Sequence, residues 1–378
     1  MKIARAVLTP IRLRLRAPLA TAHGPMRART GVLVALHDEG GHVGFGEATP
    51  IAGFGAETRE HGLAALERLA RRAVDGCGSD LDARLDALDH AEAAAPYARF
   101  AFETALLDLE AQRRGVTLAA LLTPAPEKPR EVVAVNALIS ATEASAVARE
   151  ALRAVRAGFG TLKLKVARFA LEAEVPCVAA LRSAVARDVR LRLDANGGWA
   201  RDEALRALDA FAKFAPELVE QPVPADALDD LAFVRARSPI PIAADESLAD
   251  AERAARVIET RAADWLVLKP GPIGGLRAGA RLADRARDAG IGVFVTSGLD
   301  GVVARVAALA LAAALPGGMP ACGLATGSLL ADDLARGSRP TFGALAVPAL
   351  SGLGVRPLRR TVERRRDGET LEIAGAGS

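Results

Sequence analysis

Histidine and cysteine are too scarce and too scattered in this chain to build a soft metal centre. All five histidines lie before residue 91, and the three cysteines, Cys77, Cys177 and Cys322, stand far apart with no CxxC pair. That argues against a zinc ribbon or a disulfide framework and fits a reducing compartment. No GxSxG elbow and no HExxH helix is present, so neither a nucleophilic hydrolase nor a zincin is indicated. An excess of one charge is lacking too: 49 Lys and Arg against 46 Asp and Glu leave +3, no whole-chain signal for nucleic acid. The local basic runs "RLRLR" (Arg12, Arg14, Arg16) and "RRTVERRRDG" read as solvated faces. No apolar run is long enough to cross a bilayer; the longest, Val306 to Leu315, ends at Pro-Gly-Gly and reads as a buried helix. The N-terminal "MKIARAVLTP" lacks the apolar stretch of a signal peptide. A cytoplasmic protein with no nucleic-acid or membrane partner is expected, with a homo-oligomer left open.

What is present is a chain of 378 residues, 51% hydrophobic and 25% charged, long enough for a large barrel with an appended domain. From about residue 130, short β-rich runs alternate with Ala/Leu/Arg-rich helical stretches. The strand candidates are 132–139, 161–166, 189–195, 217–222, 240–247, 264–270, 292–297 and 321–324. Eight strands separated by helical segments predict an α/β fold, a closed parallel TIM barrel over 130–350, with a doubly wound open sheet as the main alternative, whose glycine-rich dinucleotide fingerprint is absent. "GPIGGL" (271–276) reads as a plain turn rather than a phosphate loop. Residues 1–125 differ: alternating strand patterns with a turn at Asp38 to Gly41, then helices, predict an α+β domain. The Pro-rich "TPAPEKPR" reads as the linker, and the final segment, 355–378, as a strand-like return to the first domain.

Chemistry in such barrels sits at the C-terminal ends of the strands. In "TLKLKV", Lys163 and Lys165 share one face, opposite Leu162, Leu164 and Val166. Later strands end in Asp194 (with Asn196 beyond), Glu220, Asp245 with Glu246, and Lys269. Three carboxylates without Cys or His form a hard oxygen site suited to Mg²⁺ or Mn²⁺. With that cation and three lysines the mouth is net positive and should draw a small anionic carboxylate substrate. A lysine beside another lysine and a divalent cation loses its proton more readily, and can then act as general base. Abstraction of a proton α to a carboxylate suits this set, because a cation and an opposed ammonium group stabilise the developing enolate. Arg192 shares a strand face with Asp194, and Ser297 and Gly323 end the seventh and eighth strands; all three are candidate substrate contacts or, for Arg192, a structural salt bridge.

The motifs "KLK" (163–165), "LDANGGW" (193–199), "VEQPV" (219–223), "ADES" (244–247) and "LKPGPIGGL" (268–276) resemble the enolase superfamily in its muconate lactonizing enzyme subgroup. Their spacing fits, with intervals of 29, 26, 25 and 24 residues from Lys165 through Asp194, Glu220 and Asp245 to Lys269. "GFGEATPIAGFGAET" and "ARFAFETALLDLEAQ" are similar to the subgroup's N-terminal capping domain, so the likeness covers almost the whole chain. The resemblance implies a (β/α)7β barrel, Asp194, Glu220 and Asp245 as Mg²⁺ ligands, Lys165 as base, Lys163 as its pKa-lowering neighbour and Lys269 across the site. It implies capping loops near Thr21 to His23 and Ile51 to Thr58 that close over the mouth, which makes His23 a candidate contact. "APLATAHG", "VAVNALI" and "CGLATGSLLADDL" look most like the o-succinylbenzoate synthases of menaquinone biosynthesis, lyases that dehydrate 2-succinyl-6-hydroxy-2,4-cyclohexadiene-1-carboxylate. Dipeptide epimerases and N-succinylamino acid racemases share the same lysine pair and are the alternative. The epimerases usually carry acids where this chain has Leu324, Ala325 and Thr326. Asp300 stands where relatives often have Glu, as a substrate contact or as a helix N-cap. A non-catalytic metal-binding barrel would be expected to lose a lysine or a carboxylate, and none is lost.

Overall fold

A computed structural model of the chain describes residues 1–21, 24–51, 54–55, 57–76 and 81–375. β1 (Ile3–Thr21) and β2 (Gly24–Asp38) form a long hairpin. β3 (Val43–Ala48) returns beside β2 through the expected turn, where the Asp38 carboxylate accepts from the His42 backbone N–H at 2.8 Å. The C-terminal strand Leu371–Ala374 pairs antiparallel with β1 and completes a four-stranded capping sheet. The expected strand-like stretch before it is in part a helix, Arg359–Arg365, braced by Arg359 and Glu363 one turn apart at 2.9 Å.

Helices α1 (Arg59–Val74), α2 (Leu81–His90) and α3 (Pro96–Arg114) follow. α3 is buried from Tyr97 to Ala111 at all but one position, because it lies between the capping sheet and the barrel. Two glycines on one face of β3 make the first contact possible. A Cβ at Gly46 would stand 1.8 Å from the Ala101 carbonyl oxygen, and one at Gly44 would stand 2.1 Å from that of Ala105. The "GPIGGL" run forms the second contact. It is a short helical turn, Pro270–Ile273, whose Gly271, Gly274 and Gly275 face Tyr97, Arg99 and Glu103 of α3.

The predicted first barrel strand breaks in two. β4 (Val132–Ala134) pairs antiparallel with Ala344–Ala346, and β5 (Ala137–Ile139) begins the parallel sheet, because Val135 and Asn136 turn their N–H groups to Gly343 and Cys322. β6 (Thr161–Lys165), β7 (Arg190–Asp194), β8 (Leu218–Glu220), β9 (Ile242–Ala244), β10 (Trp265–Leu268) and β11 (Gly292–Val295) follow in sequence order. The predicted eighth strand is only a pair of parallel bridges, Val135 to Cys322 and Thr296 to Gly323, which close the ring into a (β/α)7β barrel. Gly323 is required there, since a Cβ would meet Thr296 Cγ2 at 2.7 Å. Leu162, Leu164, Leu191 and Leu193 point outward against the helices, leaving the alternate positions for the interior.

Carboxylates of the N-terminal region cap helices that lack a side-chain cap of their own. Glu57 accepts from the N–H groups of Tyr97 and Ala98 at 2.7 and 3.1 Å. Glu103 accepts from Leu276 and Arg277 at the start of the helix Leu276–Asp288. Glu47 accepts from Gly301 at 2.6 Å and Ala304 at 3.3 Å at the start of the buried helix Val302–Ala314. Burial, with Asp333 and Asp300 nearby, pushes the Glu47 carboxyl up to about 8. Among the described residues no helix is long and apolar enough to cross a membrane.

Candidate active site

Parallel register places the charged strand ends side by side. Lys165 is paired across from Asp194, and Asp194 from Glu220, while Asp245 follows β9 directly. Lys163 donates to Glu220 Oε1 at 2.6 Å and lies 3.0 Å from Asp194 Oδ2; Lys165 lies 3.6 Å from the same Asp194 oxygen. Lys269 closes the row from the other side, with its ammonium group on Asp245 Oδ1. The shared face read from "KLK" is therefore real, and both lysines point at carboxylates.

Burial opposes charge on every group here, and the neighbours decide the outcome. For Lys163 burial alone would favour loss of the proton, but Asp194, Glu220 and Asp245 reverse this and hold its pKa above the ordinary lysine value. For Asp194 burial is overcome by Lys163 and Lys165, which hold the carboxyl down at about 2. Burial raises Glu220 despite Lys163, with Asp194 and Asp245 adding to the rise, and raises Asp245 despite Lys269. The lysines thus do not offset the cost of burial for Glu220 and Asp245. Glu220 Oε2 is buried with no hydrogen-bond partner. No three acidic, imidazole or thiolate groups among the described residues stand as a preformed chelate; the ammonium groups meet the carboxylates instead. The all-oxygen donor set and the orphaned Glu220 oxygen fit a hard divalent cation.

The structure sorts the remaining predicted residues. Asn196 is at the mouth, but its amide is occupied: Oδ1 accepts from Lys165 Nζ, and Nδ2 donates to Glu246 Oε1 at 2.9 Å. Of the two readings of Arg192, the geometry matches the structural salt bridge. The residue lies one layer below the mouth, 1% exposed, paired with Glu217 at 2.6 Å, bonded to the Ala321 carbonyl at 2.7 Å and stacked 4.3 Å from the Phe294 ring centroid. Ser297 meets Thr326 hydroxyl to hydroxyl at 2.7 Å, and Gly323 forms the barrel seam. Asp300 is not the helix N-cap; Gly301 holds that position, and Asp300 instead accepts from Thr49 Oγ1 at 2.9 Å and from the Gly298 N–H at 2.8 Å. The carboxylate that caps Val302 is Asp333, at 2.8 Å. His23 and Cys77 lie outside the described residues.

Both parts of the architecture match one group of enzymes. Residues 146–361 match the family model for the enolase C-terminal domain-like fold, and residues 3–123 that for the mandelate racemase / muconate lactonizing enzyme N-terminal domain. The chain belongs to the enolase superfamily. Within it, the chain is 42% identical to an o-succinylbenzoate synthase of Mycolicibacterium smegmatis over 61% of this chain and 70% of that one. It is 32% identical to an L-Ala-D/L-Glu epimerase of Clostridium acetobutylicum over 83% of this chain and 87% of that one. A dipeptide epimerase structure from Enterococcus faecalis, in complex with Mg and the dipeptide L-Leu-L-Tyr, superposes with a TM-score of 0.86 at 28% identity, covering 94% of this chain and 99% of that one.

Against this enolase-superfamily frame, the structure adds two residues that sequence patterns did not single out, Gln221 and Phe54, and gives a partner to the strand-end Glu246. Gln221, in a left-handed conformation (φ 41), accepts from the N–H groups of Asp245 and Ser247 at 2.9 and 3.1 Å, tying the end of β8 to that of β9. Glu246 anchors Asn196. Phe54, from the expected capping loop, covers Lys269 with its ring centroid 3.9 Å from Nζ. Gln221 stands inside the quoted motif "VEQPV" and could have been flagged there; Phe54 carries no sequence signal beyond its loop.

Proposed function

We propose that the protein is an o-succinylbenzoate synthase, a lyase that removes water from 2-succinyl-6-hydroxy-2,4-cyclohexadiene-1-carboxylate. Asp194, Glu220 and Asp245 would hold Mg²⁺ or Mn²⁺, which when bound supplies electrostatic stabilisation to charge developing on the substrate carboxylate. Lys165 takes the proton α to that carboxylate. The C–H electrons move into the ring, the C–O bond breaks on the same face, and the hydroxyl leaves as water with the proton returned by Lys165. Lys269 stands opposite as the counter-cation. The two lysines are unequally placed: the Lys165 side chain is 25% exposed and that of Lys269 11%, the latter paired to Asp245 beneath Phe54. A dehydration with one proton-transferring lysine needs no more, whereas racemisation requires exchange at both.

The observation that carries the choice lies after the closing bridges. A dipeptide brings a cationic amine that needs a carboxylate. Here Leu324, Ala325 and Thr326 follow the seam, and the next acids are engaged: Asp332 with Arg14 and Arg365, Asp333 with Arg305 and a helix N-terminus. The second reading, a dipeptide epimerase or N-succinylamino acid racemase, draws support from the longer alignment with the Clostridium epimerase. Incubation in D2O with dipeptides and N-succinyl amino acids separates the two. Little α-deuterium uptake beside rapid dehydration is expected; fast exchange without dehydration would replace the synthase reading with the epimerase one.

A further inference from the structure

Behind Lys269, at the joint between α3 and the barrel, is a small, largely apolar cavity that the proposed reaction does not use. It has a volume of about 10 Å3, and Phe100, Ala304 and Ala308 line it beside Tyr97, Thr296 and Asp300. Two hydroxyls there are unsatisfied. Thr296 Oγ1 has no hydrogen-bond partner, and the Tyr97 hydroxyl has none of standard geometry, only a loose approach to the Ile51 backbone. Thr296 is 6% exposed and Tyr97 3%, so bulk water does not reach them. A buried hydroxyl left without a partner loses its solvation with no return, and buried polar groups of this kind are ordinarily completed by an ordered water.

The cavity is at the lower bound of space for one water, and Thr296, Tyr97 and Asp300 in its lining can supply the two to four polar partners a water needs. Each carboxylate oxygen of Asp300 already accepts one bond, from Thr49 or from Gly298, and keeps a lone pair for another. The Tyr97 ring lies against Gly271, where a Cβ would meet its Cε1 at 2.6 Å, so the cavity borders the segment that sets the Lys269 backbone. We propose that this cavity holds a single structural water, bonded by Thr296, Tyr97 and Asp300, that fixes the Lys269 strand end against the capping layer. Tyr97 and Thr296 are then positioning residues for Lys269, acting through it and not on substrate. The proposal rests on the reading of Lys269 as part of the reacting site.

The test joins a crystal structure of the wild-type protein to kinetics of Tyr97→Phe, Thr296→Val and the double variant. Density for one water about 2.6–3.2 Å from both hydroxyls is expected. Each single variant should lower kcat roughly 10-fold, since small misplacement of a reacting group is costly, and leave KM within about 2-fold. Because both act through one water, the double variant should be no worse than the poorer single one. A dry cavity, unchanged kcat, or losses that multiply would overturn the proposal. Lys269→Ala, measured beside them, separates the two levels: an inactive Lys269→Ala with fully active Tyr97→Phe and Thr296→Val removes only the water, whereas a fully active Lys269→Ala removes the reading of the site.

Discussion

Lys163, Lys165 and Lys269 show how one residue type takes different duties from its surroundings. Lys163 sits between Asp194 and Glu220 and works as a fixed counter-charge; Lys165 is the more accessible and the more weakly paired. Lys165→Ala and Lys269→Ala should each lower turnover at least ~10²-fold with an unchanged circular dichroism spectrum, in the range of a lost acid-base group. Lys163→Met should act on stability first. It strands buried carboxylates, so the metal-free protein should lose about 3–5 kcal/mol in urea unfolding, and added Mg²⁺ should recover part of that. The lysines and acids were legible because strand alternation and strand-end position mark them without any knowledge of contacts. Arg192 stayed open between two readings for the same reason: alternation gives the face but not the depth, and its partners Glu217, Ala321 and Phe294 come from three other segments.

At the scale of elements, glycines and borrowed caps decide how the capping layer meets the barrel. Gly46→Ala should cost at least about 3 kcal/mol by denaturant unfolding, since its Cβ would collide with the α3 backbone at 1.8 Å. Glu47 makes the helix Val302–Ala314 sensitive to pH. Its carboxyl titrates at about 8 when folded against an ordinary 4.5, so its contribution is complete below about 4.5 and declines as pH rises through 8. Glu47→Gln should flatten the dependence of Tm on pH between these values; an unaltered slope would contradict the assignment. These joints were largely hidden in the sequence. The "GPIGGL" glycines read as a plain turn, and Gly44 and Gly46 carry no signal of their own, because what they accommodate is a helix distant along the chain. The eighth strand was visible as a position but not as two bridges, since the residues closing the ring are too few to carry a periodic pattern.

For the whole molecule, the alternation of strand and helix was enough to predict a barrel, and the motifs at its strand ends placed it in the enolase superfamily. Substrate choice is less legible, because synthase and epimerase share the lysines and acids and differ in groups that meet the rest of the substrate. A chelator should stop turnover, and Mg²⁺ but not Ca²⁺ should restore it, as a tight octahedral site demands. The most direct measurement is the absorbance change on aromatisation of 2-succinyl-6-hydroxy-2,4-cyclohexadiene-1-carboxylate with Mg²⁺, for the wild type and Lys165→Ala side by side. Rapid conversion by the wild type and none by the variant is the predicted result. No conversion by a folded, Mg²⁺-loaded wild type, or equal conversion by both proteins, would contradict the account.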